Sequence, residues 1–438
     1  MQQIKHVDVV IAGGGMTGAM LAYALLSQTA RPLKVAIVEK QAVAAQQASV
    51  QLSSTQLTAT QHSSGQLSAA PSQSFDSRSI ALSAASVDLL NSWGLWSELQ
   101  AHACAIKHIA VSDRGHFGKT RLNAADFLRQ SLGQVIEIEK LGSLIYQRLS
   151  QFSNQQLLWF RPNEIQQIEP SKELQRLTLT SGEQLTCQLL ALCEGGDSPT
   201  RALAGIGCDI ETYPHSALIA NIGLAEDHKH RAFERFTQHG PLALLPLNRQ
   251  RFSLVWSLLP EDAIRLQSLP ASAFLTELQQ AFGYRAGVFN SVGERVVYPL
   301  VLKTAKEASR HRLVLCGNSL HNLHPIAGQG FNLALRDLAA LVNLVTHSSD
   351  VGSYQLTQNY ARLRLQDMQQ VVALTDGLVR LFANDSKLCA LGRNIGLSLL
   401  NNLPSLKTLF AEQTMGLAPF KRQQQALAEQ FSLKQQDL

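Results

Sequence analysis

The sequence predicts an α/β protein: a Rossmann-type dinucleotide-binding domain interleaved with a sheet-rich second domain, then a helical C-terminal region. Three observations carry this. A short apolar strand runs straight into Gly13-Gly14-Gly15-Met16-Thr17-Gly18 and an Ala-rich apolar segment. The middle of the chain alternates strand-like runs with turns, and from Gly330 onward apolar residues recur at helical spacing. With 438 residues, the chain exceeds the roughly 300 at which single cores stop growing, so two joined domains are expected.

In order along the chain, residues 7–12 are β-branched and apolar, 19–26 read as a helix, and 34–38 supply a second strand. Together they form a βαβ unit, which implies a parallel sheet with its ligand at the carboxyl ends of the strands. Residues 41–75 contain no Asp, Glu, Lys or Arg and consist mainly of Gln, Ser, Ala and Thr. They cannot bury enough apolar surface to offset ordering entropy, so a mobile surface insertion is expected. Residues 83–99 have helical spacing. The first part of the nucleotide domain is placed at 1–160. The second domain occupies 161–299, with strands at 177–180 and 253–257 and a return to the first near 185–205. Residues 300–438 complete the first domain and add helices, with Val371, Leu374, Leu378, Leu381 and Phe382 on one face.

Composition excludes several classes. A hydrophobic share of 45% with 16% charged residues fits a globular fold. The formal charge is +5, but Lys and Arg are dispersed without a basic run, so no nucleic-acid partner is expected. Six cysteines lie far apart with no C-x-x-C pair, which predicts reduced thiols and neither a zinc site nor a disulfide framework. No signal peptide and no run of about 18 apolar residues is seen, which points to a cytoplasmic protein without a bilayer span.

Three segments carry chemistry. In the first, Gly13 permits a tight turn, Gly15 lets backbone approach a pyrophosphate and Gly18 allows close helix–strand packing. Glu39 ends the next strand, where it can accept ribose hydroxyls. The second segment follows the strand 312–315 with Gly317-Asn318 and continues through His324-Pro325-Ile326-Ala327-Gly328-Gln329-Gly330-Phe331-Asn332. Its glycines and proline mark special backbone positions, suited to a ribityl chain and a helix starting against a flat ring. The third, Glu194-Gly195-Gly196-Asp197-Ser198-Pro199-Thr200-Arg201, follows the strand 189–193. It reads equally as a cofactor-approaching turn or as an ordinary helix capped by Ser198.

These segments, in this order, resemble the group A flavoprotein hydroxylases of the para-hydroxybenzoate hydroxylase type. Residues 76–82, 111–116, 231–241 and 392–397 are similar to the ubiquinone-biosynthesis hydroxylases within that group. The resemblance implies a noncovalent FAD reduced by NAD(P)H, with O₂ and a polyprenylphenol as co-reactants and other proteins of the same pathway as partners. Gly13, Gly15, Gly18 and Glu39 would hold the ADP half, with Arg78 near the cofactor. Glu194 and Gly195 would approach the pyrophosphate, and Gly317 and Asn318 the ribityl region. Pro325, Gly328, Gln329, Gly330 and Asn332 would lie beside the flavin ring. Glu194 and Asn318 stand where the broad family usually carries Asp, and Asn318 lacks a carboxylate's charge.

No acid or base is assigned, although His324 is a catalytic candidate against a purely positional role. Arg235 and His239 are substrate candidates. Peripheral contact with the inner face of the membrane is expected through Leu406, Leu409, Phe410, Leu417, Phe420, Lys421 and Arg422, unless these pack on the flavin domain instead. Other readings are a sister hydroxylase acting at another ring carbon, a nonenzymatic flavin-binding scaffold, and a simple NAD dehydrogenase. The Gly317-Asn318 and 324–330 segments disfavour the last.

Overall fold

A computed structural model of the chain describes residues 4–42, 78–113, 119–237, 240–323, 328–382, 403–418, 420 and 422. All but the first two residues of 41–75 lie outside these, as do His239, His324 and Pro325. Among the described residues the strands form three sheets.

In the first sheet β1 (Lys5–Ala12) pairs in parallel with β2 (Val35–Val38) and β11 (Gln184–Leu192), which extend in parallel to β8 (Leu157–Phe160) and β19 (Leu313–Leu315). Antiparallel additions are β9 (Ile165–Pro170), β10 (Gln175–Leu179) and β18 (Ser309–Arg310). Val9, Val10, Ile11, Val35 and Ile37 are fully buried, as expected of parallel strands covered on both faces. The crossover from β1 to β2 is α1 (Met16–Gln28), and the chain returns to this sheet at β11 and β19.

The second sheet runs in the order β20 (His321–Asn322), β17 (Val296–Ala305), β12 (Cys208–Leu224), β15 (Arg251–Leu258), β14 (Gly240–Leu247), β13 (Arg231–Thr237), β5 (His108–Asp113) and β6 (Lys119–Asn123), with β16 (Phe289–Val292) beside β12. One face carries α6 (Pro260–Ser268) and α7 (Ala271–Phe282) over a core containing Leu218, Leu242, Phe252, Trp256 and Phe274. The third sheet, β3 (Ser79–Ser83), β7 (Gly133–Glu137) and β4 (Cys104–Ile106), touches the other face: Ile106 and Val135 cluster with Ala232 and Leu247.

The helical stretch expected over 83–99 divides into α2 (Ala84–Ser92) and α3 (Trp96–Leu99). Gly94, at φ +73°, turns the chain between them in the manner of a left-handed C-terminal cap. The remaining helices are α4 (Ile138–Leu149), α5 (Pro199–Leu203), α8 (Gln329–Thr346), α9 (Tyr354–Phe382) and α10 (Pro404–Thr414). Val371 of the expected α9 stripe is buried; the side chains of the other four lie outside the described residues. No described helix is long and apolar enough to cross a membrane. Cys104, Cys187, Cys193, Cys208 and Cys316 are unbridged. Burial pushes the Cys187 thiol up to about 12 and that of Cys104 to about 11, so neither is a thiolate at neutral pH.

Candidate functional site

A cavity of about 580 Å³ opens at the carboxyl ends of β1 and β11. Gly13, Gly15, Met16 and Thr17 form one wall and Cys193, Glu194 and Gly195 the next; Asn318, Gly330 and Phe331 close the third. The first glycine motif therefore meets the other two segments at one place.

The glycines divide by function. A Cβ on Gly18 would lie 1.9 Å from the Gly13 carbonyl oxygen, and one on Gly13, at φ +96°, would lie 2.7 Å from that of Cys193. These two let α1 and β11 close on the turn. A Cβ on Gly15, Gly195 or Gly330 would meet nothing within 4 Å, although all three line the cavity. Their missing side chains leave a cradle that a bound group can fill, which fits the diphosphate and ring of a dinucleotide.

Two helices point their N-termini into the same space. Neither α1 nor α8 has a side-chain cap, and Met16, Thr17, Gly330 and Phe331 of their first turns line the cavity. Two positive helix ends converging on one cavity favour an anionic occupant. Glu39 reaches the cavity from the end of β2, accepting from the Gly14 amide at 2.6 Å and the Gln41 amide at 2.8 Å. Both its oxygens keep lone pairs for hydroxyl donors. The Tyr146 hydroxyl, on α4, donates to the Gly14 carbonyl and fixes the turn from outside.

Glu194 lines the cavity while capping α5: it accepts from the Ser198 hydroxyl at 2.6 Å, the Thr200 hydroxyl at 2.7 Å and the Thr200 amide at 3.1 Å. Ser198 accepts from the Arg201 amide at 3.2 Å, so the segment caps a helix while its first residues line the cavity. Behind Gly317, buried Asp337 accepts from the Gly317 amide (2.8 Å), His321 Nε2 (2.7 Å) and Arg364 Nε (2.6 Å). Burial pushes the Asp337 carboxyl up, but the charges and hydrogen bonds of His321 and Arg364 outweigh it and hold the group below the usual carboxylate range.

Several expected contacts are used otherwise. Asn332 is 2% exposed, and its side chain accepts from the Ser83 amide and Ser86 hydroxyl and donates to the carbonyls of Ala81 and Gly328. With that capacity spent, it pins α8 to β3 and α2 rather than holding a ring. A Cβ on Gly317 would meet Thr17 Cγ2 at 2.9 Å, and one on Gly328 would meet Ala81 Cβ at 3.1 Å, so protein presses on both. Gln329 opens α8. Arg78 does not line the cavity; its guanidinium donates to the Tyr298 hydroxyl at 3.4 Å. Arg235 is corrected as a substrate candidate: it lies 6.0 Å from the Phe282 ring, on the α6/α7 face of the second sheet. Strand alternation, which sequence alone could not phase, turns it there. Tyr146 and Ile138, which line the cavity from α4, carry no recognisable motif and could not have been found from sequence.

The FAD binding domain family matches residues 67–375, and the FAD dependent oxidoreductase family matches residues 8–108. A ubiquinone hydroxylase of Rhodospirillum rubrum, UbiL, is 31% identical over 94% of this chain and 90% of its own length. The 3-demethoxyubiquinol 3-hydroxylase of Escherichia coli is 27% identical over 94% of this chain and 99% of its own. Among solved structures, p-nitrophenol 4-monooxygenase PnpA of Pseudomonas putida aligns with a TM-score of 0.70 at 15% identity, covering 94% of this chain and 99% of that one. PqsL of Pseudomonas aeruginosa, a probable FAD-dependent monooxygenase, also gives 0.70, at 19% identity over 90% of this chain and 100% of that one.

Proposed function

We propose a substrate for a chain that belongs to the FAD-dependent hydroxylases of ubiquinone biosynthesis: it hydroxylates the aromatic ring of a 2-polyprenyl-6-methoxyphenol, using NAD(P)H and O₂. The observation that carries the cofactor half is the cradle of Gly15, Gly195 and Gly330 under two uncapped helix ends. Residues of the first and third sheets would hold the flavin, and the second sheet, built mainly from 208–305 with 108–123 added, would hold the phenol; the strand expected in the second domain at 177–180 instead joins the first sheet as β10.

When bound, the flavin takes hydride from the nicotinamide and supplies one oxygen atom of O₂ to the ring. The protein's part is placement and electrostatics. The ends of α1 and α8 favour negative charge on the diphosphate and on the reduced ring. Glu39 would accept from ribose hydroxyls, and Asn318, exposed at the cavity wall, would bond the ribityl chain. Glu194 and Arg201 hold the Gly195 turn in shape, Arg201 donating to the Ser319 and Gly196 carbonyls at 2.8 and 3.0 Å.

The test is anaerobic reduction of the purified holoenzyme with NADH or NADPH, then O₂ and a 2-polyprenyl-6-methoxyphenol, with product mass and ring position determined. One hydroxyl added to that ring is the expected result. The full-length similarity to a 3-demethoxyubiquinol 3-hydroxylase supports a second reading, hydroxylation at another ring carbon, and product analysis separates the two. Flavin that is bound but never reduced would leave only a scaffold role.

A further inference from the structure

We propose that Glu234 is the base that takes the phenolic proton of the substrate, from the face of the second sheet turned toward the flavin cavity. This rests on the hydroxylase reading and adds a catalytic residue to it.

Alternation along β13 fixes which way Glu234 points. Phe233 packs on Phe252 and Phe282, with ring centroids 5.9 and 5.4 Å apart, and Arg235 also lies over Phe282. Those odd-numbered residues face α6 and α7. Ala232 clusters instead with Ile106 and Val135 of the third sheet, so Ala232 and Glu234 share the opposite face.

That face leads to the cavity by two routes. Glu234 stands opposite Ala243, Ala243 opposite Val255, Val255 opposite Ile219 and Ile219 opposite Val296. Two residues beyond Val296, Tyr298 receives the Arg78 guanidinium, and the Arg78 carbonyl accepts from the amide of Ile138 at 2.9 Å. Ile138 lines the cavity. By the second route Arg251, on the same face as Val255, pairs at 3.1 Å with Glu137, the residue before Ile138.

Nothing described satisfies Glu234. Its cross-strand neighbours are Val111 and Ala243, and its Oε1 is enclosed without a hydrogen-bond partner among the described residues. The charged and titratable groups on the elements packed around this face are otherwise engaged or apart: Arg251 with Glu137, Arg78 with Tyr298, and Cys104 of β4 beside His230 at 3.8 Å. Burial alone pushes the Glu234 carboxyl up to about 7. An enclosed acceptor left unpaired calls for an explanation, and a base poised near neutral pH on the face we assign to the substrate is one.

The step is a proton transfer. The phenol O–H bond breaks as the ring is attacked, the proton moves to a Glu234 oxygen, and the ring carries the freed electron pair. After the ring has lost the hydrogen displaced by oxygen, the proton returns from Glu234 to the phenolate. No electron passes through the carboxyl; the oxygen atom comes from O₂ through the established chemistry.

Calorimetry of 2-methoxy-6-prenylphenol binding to the oxidised holoenzyme, in buffers of different ionisation heat, tests this directly. A phenol bonding to the carboxylate form should expel most of a proton at pH 6 and almost none at pH 8. Ionisation of the phenol alone would release a proton at both. Glu234→Gln should keep its FAD, release none at either pH, lower kcat on the order of 100-fold and lose the rise of kcat/KM through neutral pH. Should the variant fail to hold FAD, the wild-type proton release alone decides. Wild-type enzyme that hydroxylates the probe but binds it without that pH-dependent release overturns the proposal and leaves the hydroxylase reading intact, as does a Glu234→Gln enzyme with wild-type kcat and pH profile. Protein that neither binds nor hydroxylates the phenol overturns both.

Discussion

Gly15 and Gly18 belong to one turn and respond oppositely to the same added methyl. At Gly18 it would press on the Gly13 carbonyl, so Gly18→Ala must push α1 off β1, with an expected loss of about 1–3 kcal/mol even without flavin. At Gly15 it enters open cavity, so Gly15→Ala apoprotein should unfold within about 0.5 kcal/mol of wild type while its FAD content falls. Denaturant unfolding of the apoproteins and flavin absorbance of the purified forms check both, and a Gly15→Ala protein with full flavin would move the diphosphate elsewhere. Asp337 makes a different claim. Its folded pKa is depressed, so its stabilisation is present above the unfolded value of about 3.9 and is lost as pH falls through the lower folded value. Asp337→Asn, which leaves buried Arg364 short of a countercharge, should cost about 3–5 kcal/mol at pH 7 and loosen the Gly317 turn. Its stability should also become flatter than wild type below about pH 4. The glycines and Glu39 were legible because spacing alone expresses what that turn needs. The Asp337 network was not: its partners gather from 317, 321 and 364, and no local pattern announces a buried charge cluster.

At the scale of elements, the sequence placed strands and helix starts better than it placed their faces. The βαβ unit, the strand before Glu194 and the helix after Gly328 lie where the spacing puts them, because glycines and apolar runs punctuate the chain locally. Strand phase is decided by what packs above and below. Hence the sequence does not reveal that Arg235 faces α7 while its neighbour Glu234 takes the opposite face. The start of α8 gives a test at this scale. Gly328 holds φ +59° against Ala81, so a branched residue there meets backbone strain and a neighbour at 3.1 Å. Gly328→Val should therefore cost about 1–2 kcal/mol in the apoprotein and weaken FAD by shifting the α8 end. Its expected place beside the flavin ring accounts for the second effect but not for the first. Comparing apoprotein melting with flavin titration separates the two, since an unchanged apoprotein melt would mean that the helix start relaxes around the side chain.

The molecule as a whole sets two sheets against a shared middle, and its C-terminal helix helps to close one edge. Ala411 and Met415, 0% and 3% exposed, cluster with Leu122, Ala124 and Leu132, while Phe410 and Leu417 pack against that cluster and Phe420 against the main core. Lys407 adds an ion pair to Asp126 at 2.8 Å, which holds the Asp126 carboxyl below its usual range. Three residues expected at a membrane surface thus turn inward. The side chains of Leu406, Leu409 and Lys421 lie outside the described residues, and Arg422 is exposed. Sequence could not separate these cases, since an apolar stripe beside basic residues serves a bilayer and a protein core equally well. The consequence is experimental. A chain ending at residue 402 would uncover Leu122, Ala124 and Leu132 and give up the burial of Ala411 and Met415, on the order of 3 kcal/mol or more at roughly 25 cal/mol per Å². Its thermal midpoint should fall by several degrees and it should self-associate, so weaker vesicle flotation of that protein would report damage to the fold. Scanning calorimetry with light scattering on the full and shortened chains decides this, and a shortened chain that stays monomeric and melts with the full one would show that α10 carries no part of the fold.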